Sequence, residues 1–383
     1  MRSPNEWRSR VTFGPGVVSQ TGDFARAIGA KRALVVCGSM SFHASGAARL
    51  VDHMQGVAFQ LWDGFGANTS FDDLCEGLDI VHEFQPDVII GVGGGSAMDM
   101  AKLLVAFSSE SCDVAHRIQS GDPIAEVGHK LLLVPTTSGS GSEATHFAVV
   151  YIGDKKFSVA GDGLYADQIL LDPQLVMSGS PYQRATSGID AICQAIESTW
   201  ATGATQTSRR YARHALALLM PAIRKFVAEG DSETARRMSI GAHLSGRAID
   251  ISKTTGAHAL SYFVTKRFGI AHGNAVALTL GEFMNVHSSP GRLKVQINNL
   301  PEIMNDLARY FHVASPELLS NAFDELLDDL GLVRTINQSG MSVDDVTEEW
   351  IDSVNLQRLA NNPVQLDRAS MREMVSTSWS SDE

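Results

Sequence analysis

The chain has 383 residues, 44% hydrophobic and 19% charged, enough for about two domains with full cores. Its 43 Asp and Glu outnumber 31 Lys and Arg, and a formal charge of −12 without any basic stripe speaks against a nucleic-acid surface. Cys37, Cys75, Cys112 and Cys193 show no paired spacing, so no disulfide framework or thiolate zinc site is expected, and a reducing cytoplasm is the expected compartment.

The polar start MRSPNEWRSR lacks an apolar leader, and no run approaches the ~20 apolar residues of a membrane span, so neither secretion nor insertion is expected. RALVVCGS (32–39) then predicts a buried strand running into a Gly-Ser turn. The pattern recurs in PDVIIGVGGGS (86–96), HKLLLVPTT (129–137) and DQILLDP near residue 170. Helical stretches such as FDDLCEGLDIVHEF and SAMDMAKLLVAF lie between them. Strand, turn and helix in succession imply an α/β dinucleotide-binding domain over residues 1–180, with a parallel sheet between helices. After SGSPYQ (178–183) helical patterns take over, among them SRRYARHALALLMPAIRKF and SPELLSNAFDELLDDLGL, which predicts an all-α domain over 181–383.

Two loops follow successive strands. GVGGGSAMDMAK sets Gly93, Gly94 and Gly95 before a helix, where backbone can approach a diphosphate and free amides attract it. Ser96 and Asp99 in this segment are further candidate cofactor-binding residues, although the spacing is not that of the dinucleotide fingerprint and the two also read as a capping box. PTTSGSGSEAT offers Thr136, Thr137 and Ser140, suited either to wrapping a nucleotide or to a surface connection. Both loops lie at the carboxyl edge of one sheet, where such sheets bind ligands.

In SGIDAICQAIESTW, Asp190 and Gln194 project from one helix face among Ile189, Ile192, Ala195 and Ile196. They could simply hydrogen-bond to each other. GAHALSYFVTKRFGIAHGNAVAL carries His258 and His272, either of which could be a satisfied core histidine. Together the four residues make a set of two imidazoles and two oxygens suited to Fe²⁺ or Zn²⁺.

In order and spacing these segments resemble the iron-containing, or group III, alcohol dehydrogenase family, from about Val11 to Asn362. The resemblance implies an N-terminal dinucleotide domain, a C-terminal helical metal-binding domain and NAD(P)H-linked aldehyde reduction in a cytoplasmic homodimer. Most relatives hold the metal with one Asp and three His, and Gln194 stands where the second ligand is His. DAICQAIES with ISKTTGAHALSYFVTKRFGIAHG is similar to the branch that reduces phosphonoacetaldehyde in phosphonate and antibiotic biosynthesis. Tyr262 replaces another family histidine, associated with proton relay.

NAD-using members place an Asp after the first strand. Here Gly38 and Ser39 stand there, which implies NADPH with NADH also usable. Lys156 matches a lysine that reaches the nicotinamide ribose. Aligning Asn362-Pro363 with the family's Asn-Pro puts Arg358 at a pocket position, and Lys253 and Thr254, placed one helical turn before His258, complete a site for a small anionic aldehyde. Sulfoacetaldehyde or an uncharged short aldehyde is the alternative substrate. A dehydroquinate synthase-like lyase and a non-catalytic binding protein are the alternatives of other classes.

Overall fold

A computed structural model describes residues 9–109, 113–125, 127–153, 155–336 and 342–379, so Cys112 lies outside the described residues. The chain divides into two compact units. One runs to Gly179 and includes Asp231–Ser239; the other comprises Ser180–Gly230 and the residues from Ile240 onward.

The first unit is built on strands β1 (Arg10–Phe13), β2 (Arg32–Cys37), β3 (Ala58–Trp62), β4 (Val88–Gly93) and β5 (Lys130–Pro135). A hairpin of β6 (Phe147–Ile152) and β7 (Lys155–Ala160) follows, then β8 (Gln168–Leu171). Six strands form one sheet in the order β1-β8-β5-β4-β2-β3, and every pairing in it is parallel, whereas β6 and β7 pair antiparallel in a sheet of their own. The continuous apolar runs are the central strands, buried on both faces. In β2, Leu34 and Val36 enter one core and Ala33, Val35 and Cys37 the other, because successive side chains alternate.

Helices α1 (Thr21–Ala27), α2 (Ser39–Ala44), α3 (Phe71–Phe84), α4 (Gly95–Phe107) and α5 (Val114–Ser120) supply both layers. Leu74, Leu78 and Leu104 share one core with Leu34, whereas Ala25 and Phe42 share the other with Val35. The apolar patterning of the chain does not single out β1, β3, β6 or β7. Strands β1 and β3 lie at the sheet edges, and β3 buries only Trp62, so no unbroken apolar run marks it.

The expected capping box at Ser96 and Asp99 is not formed. Gly94 is the N-cap of α4 and Ser96 lies inside the helix, where its hydroxyl donates to the Ala67 carbonyl. Asp99 instead accepts from Ser142 Oγ (2.5 Å) and from the Val149 amide (3.0 Å). One turn on, the fully buried Lys102 ammonium donates to Thr145 O and Oγ1 (both 2.9 Å) and to Phe147 O (3.0 Å). These two side chains tie the second loop to α4 through buried charge-assisted bonds.

The second unit is helical: α6 (Pro181–Trp200), α7 (Gln206–Leu219), α8 (Ile223–Glu229), α9 (Ser232–Ser252, from Ile240 on), α10 (Gly256–Phe268) and α11 (His272–Ser288). Then come α12 (Leu300–Tyr310), α13 (Leu319–Asp329), α14 (Val343–Asp352), α15 (Leu356–Ala360) and α16 (Arg368–Ser376). None of the described helices is long and apolar enough to cross a membrane. SGSPYQ is a helix start: Ser180 and Gln183 form a reciprocal capping box around Pro181. Every residue from Gly188 to Trp200 is buried, so α6 is the unit's central helix, packed by α7, α8 and α11. The helical run read over 208–226 is two helices, because Pro221 has no amide to continue α7.

His287, in the last turn of α11, is 2% exposed and stands edge-on to Trp200 with ring centroids 4.4 Å apart. Burial pushes its pKa down to about 3, opposed only in part by the Asn362 side chain. The unfolded chain takes up this proton first as pH falls below about 6.5, so the neutral ring's stabilisation is complete above that pH and is lost on acidification towards 3. Urea titrations should show wild-type stability falling by about 1.4 kcal/mol more per pH unit than that of His287→Leu between pH 6 and 4. Equal slopes for the two proteins would contradict a buried neutral His287.

Candidate functional site

Three side chains of the second unit converge. Asp190 comes from α6, His258 from the first turn of α10 and His272 from the first residue of α11, and one ligating atom of each lies within 4.8 Å of the others. His258 Nε2 is 3.4 Å from Asp190 Oδ1, and these two buried atoms have no hydrogen-bond partner. Buried polar atoms without a hydrogen-bond partner are costly, so a pair of them facing one point fits a cation that takes the place of the ring proton there. Two imidazoles and a carboxylate are the donor set of borderline divalent metals, and three protein ligands leave a coordination position for substrate.

The approach of the helices is close. A Cβ on Gly273 would fall 1.9 Å from the Thr186 carbonyl and 2.9 Å from Asp190 Cβ, so only glycine lets the start of α11 lie against α6. Tyr262 stacks parallel on His272, with centroids 6.1 Å apart.

Gln194 lies beside this cluster. Its Nε2 donates to Asp190 Oδ2 at 3.1 Å, and its Oε1 accepts from Ser245 Oγ at 3.4 Å. The local hydrogen bond and the helix face read from the sequence therefore coexist. Glu197, which the sequence reading passes over, is fully buried three residues further on and binds His258 Nδ1. Its position seven residues after Asp190 puts it on the same helix face, a signal present in the sequence.

Burial opposes charge on all these groups, but their mutual attraction outweighs it. Burial lowers the His258 pKa, and the carboxylates of Glu197 and Asp190 carry it up to about 10. The Asp190 and Glu197 carboxyls stay below their ordinary range despite burial, held down chiefly by the histidines. Desolvation raises the Cys193 thiol well above its ordinary value, so this cysteine is inert.

Lys253 and Thr254 lie not on a helical turn but in the connection between α9 and α10, with Lys253 in the left-handed region at φ 60°. Lys253 Nζ donates to the Asp250 carbonyl at 3.1 Å, and Thr254 is buried. Arg358 is half-buried on α15, which packs against α10. Asn361 clips that region together: its amide nitrogen donates to Ser252 O (2.8 Å) and Thr254 O (3.0 Å), while its oxygen accepts from the Gly203 amide (2.9 Å).

In the first unit, Gly38 and Ser39 follow β2, Gly94 to Ser96 follow Gly93 at the end of β4, and Thr136 to Ser140 follow β5, at the carboxyl ends of three neighbouring strands. The chain turns outward to β3 after β2 and inward to β5 after β4, so the β2/β4 boundary is the switch point of the sheet. A Cβ on Gly95 would meet Ser140 Oγ at 3.1 Å, which shows how closely the two loops abut. The Thr136 and Ser138 hydroxyls are buried without a hydrogen-bond partner, as expected of groups that bind a polar ligand. Asp99 is committed to Ser142 and Val149, and Lys156 lies on β7 near enough to act on the Asp99 charge.

Comparison with known proteins agrees with both halves. The family model for iron-containing alcohol dehydrogenase matches residues 8–173, and that for the C-terminal part of the Fe-containing alcohol dehydrogenase family matches 184–379. The chain is 29% identical to Long-chain-alcohol dehydrogenase 1 of Geobacillus thermodenitrificans over 97% of both chains. It is 34% identical to phosphonoacetaldehyde reductase of Streptomyces viridochromogenes over 53% of this chain and 54% of that one. The solved structure of sulfoacetaldehyde reductase from Bifidobacterium kashiwanohense, in complex with NAD+, superposes with a TM-score of 0.90 over 100% of both chains at 25% identity.

Gly273→Ala should therefore separate α11 from α6 and carry His272 away from Asp190. Zinc titration of the apoprotein is expected to show affinity at least ~10-fold weaker than wild type. Wild-type affinity in this variant would mean that His272 and Asp190 do not share a cation.

Proposed function

The chain belongs to the iron-containing alcohol dehydrogenase family, and we propose that it reduces a small anionic aldehyde, phosphonoacetaldehyde, to its alcohol with NADPH. The observation that carries this reading is the pair of buried atoms without hydrogen bonds on Asp190 and His258 beside the half-buried His272, a donor set that fits a divalent cation. When bound, Fe²⁺ or else Zn²⁺ supplies Lewis acidity at the carbonyl oxygen, and a reduced nicotinamide supplies the hydride.

The chain's own residues do the rest. Asp190, His258 and His272 hold the cation, and Gln194 fixes the Asp190 carboxylate from behind. Tyr262, where many relatives carry a histidine, lies flat on His272 and keeps that ring in place. Gly93, Gly94, Gly95, Ser96, Thr136, Thr137 and Ser140 cradle the diphosphate, and Lys156 approaches the nicotinamide ribose. Gly38 and Ser39 leave the adenosine ribose without a carboxylate partner, which favours the 2′-phosphate of NADPH while still admitting NADH.

A phosphonate dianion leaving water needs cations in its pocket. Arg358, with its planar fork, is the proposed grip, assisted by Lys253 and Thr254. The Asn361 clip supports this grouping, since it joins the end of α15 to the connection that carries Lys253 and Thr254. The full-length likeness to a sulfoacetaldehyde reductase supports a second reading, in which the same cations receive a sulfonate.

Steady-state oxidation of NADPH should be fastest, as kcat/KM, with phosphonoacetaldehyde. Arg358→Ala should lower that efficiency by about 10–100-fold and largely spare a short uncharged aldehyde. A wild-type preference for sulfoacetaldehyde would select the second reading, and a preference for uncharged aldehydes would sink both.

Cofactor choice is tested separately. A Cβ on Gly38 meets only the movable Ser41 Oγ, at 2.5 Å, so Gly38→Asp can be accommodated. Its carboxylate would repel the 2′-phosphate, and the ratio of NADPH to NADH efficiencies should fall by at least ~10-fold. An unmoved ratio would show that Gly38 does not face the adenosine ribose.

A further inference from the structure

Each metal-facing side chain of α6 and α10 is gripped at its other end by a second residue of α6. Gln194 holds Asp190 by Oδ2, leaving Oδ1 unpartnered; Glu197 holds His258 by Nδ1, leaving Nε2 unpartnered. These two atoms face each other at 3.4 Å, an ion-pair distance without a hydrogen bond. We propose that Glu197 is a positioning residue, whose carboxylate orients His258 and keeps its proton on Nδ1, so that the Nε2 lone pair is the one offered to the cation.

The chemistry follows from what a carboxylate can do. It accepts and does not donate, so the imidazole nitrogen facing it must carry hydrogen, and the opposite nitrogen is then the basic one. Glu197 is itself immobilised. Its Oε1 accepts from the Thr255 amide (3.1 Å), Thr255 Oγ1 (2.8 Å) and the His258 amide (3.3 Å), which leaves Oε2 for the ring. Thr255 is fixed in turn, since its hydroxyl accepts from Trp200 Nε1 at 3.1 Å. Residues that hold a ligand histidine in this way alter metal affinity about 10–100-fold when changed.

The competing explanation is that Glu197 only caps α10, because two of its bonds come from the amides of Thr255 and His258 at that helix's start. Glu197→Gln separates the two. An amide oxygen still accepts from both backbone groups, but the amide nitrogen, now facing His258, donates to Nδ1 and drives the ring proton to Nε2. A cap would survive this change; a positioning residue would not.

The proposal rests on the metal-dependent reading, so the test begins with metal binding itself. Co²⁺ affinities of wild type and Glu197→Gln apoproteins are measured by chelator competition, together with the visible spectrum of bound cobalt and the thermal midpoint. The expected result is a ~10–100-fold weaker affinity and an altered spectrum in a variant that remains folded. Wild-type affinity and spectrum in the folded variant would overturn the positioning role alone, whereas failure of wild type to bind cobalt would overturn the metal reading and this proposal together. Wild-type protein labelled with ¹⁵N in its histidine rings and loaded with Zn²⁺ gives an answer even if the variant does not fold. The His258 resonances, assigned by their loss in His258→Gln, should show hydrogen on Nδ1 and metal on Nε2; the reverse arrangement would overturn the proposal.

Discussion

Two buried carboxylates, Asp190 and Glu197, stand on one face of a helix that is itself buried throughout its second half. Each charge costs several kcal/mol to remove from water unless its oxygens are met by donors. The surrounding structure answers that demand. The N-terminal ends of α10 and α11 point at α6, bringing amide hydrogens, a threonine hydroxyl and two imidazoles to carboxylates that could not otherwise be tolerated. Glu197 is fully satisfied by this arrangement; Asp190 is hydrogen-bonded on one oxygen only, and that deficit marks the candidate cation site.

The first unit applies the same logic with opposite sign. Lys102 is a buried cation surrounded by oxygens of Ser142, Thr145 and Phe147, and Asp99 takes the remaining donors of that segment. The hydroxyl-rich loop is therefore rigid where it meets α4, although its composition resembles a flexible connection. The buried hydroxyls left without partners, on Thr136 and Ser138, lie at the other end of the loop, next to the end of β5. Rigid support beneath a few unsatisfied groups is what precise positioning of a ligand requires.

Arg358, the residue proposed to grip the substrate, stands on a short helix. With five residues and no buried side chain, α15 has little packing to hold it, and the Asn361 hydrogen bonds at its end do that work instead. A residue on such an element can change without disturbing the core. Sequence relatives carry names as different as long-chain-alcohol dehydrogenase and phosphonoacetaldehyde reductase, so the family alone does not fix the substrate.

The central strands, α3, α4 and the chemically active residue types were all legible from local pattern, because apolar runs, glycine turns and helical spacing depend only on near neighbours in sequence. Edge strands β1 and β3 were not, since half-exposed pairing leaves no strong periodicity. Spacing placed Asp190 beside Gln194 on one helix face, but it could not say that the two would bond to each other, nor that Ser245 on α9 would hold the other end. Glu197 lies on the same face, but only the fold shows that α10 brings His258 against it. The same holds for Ser96 and Asp99, whose spacing matches a capping box while their actual partners, Ala67, Ser142 and Val149, come from distant segments. Sequence by itself determined which groups the chain possesses and which of them share a helix face or follow a strand. Tertiary structure alone decided which atoms remain unpaired, because hydrogen bonds across more than a helical turn depend on chain segments whose approach no local period encodes.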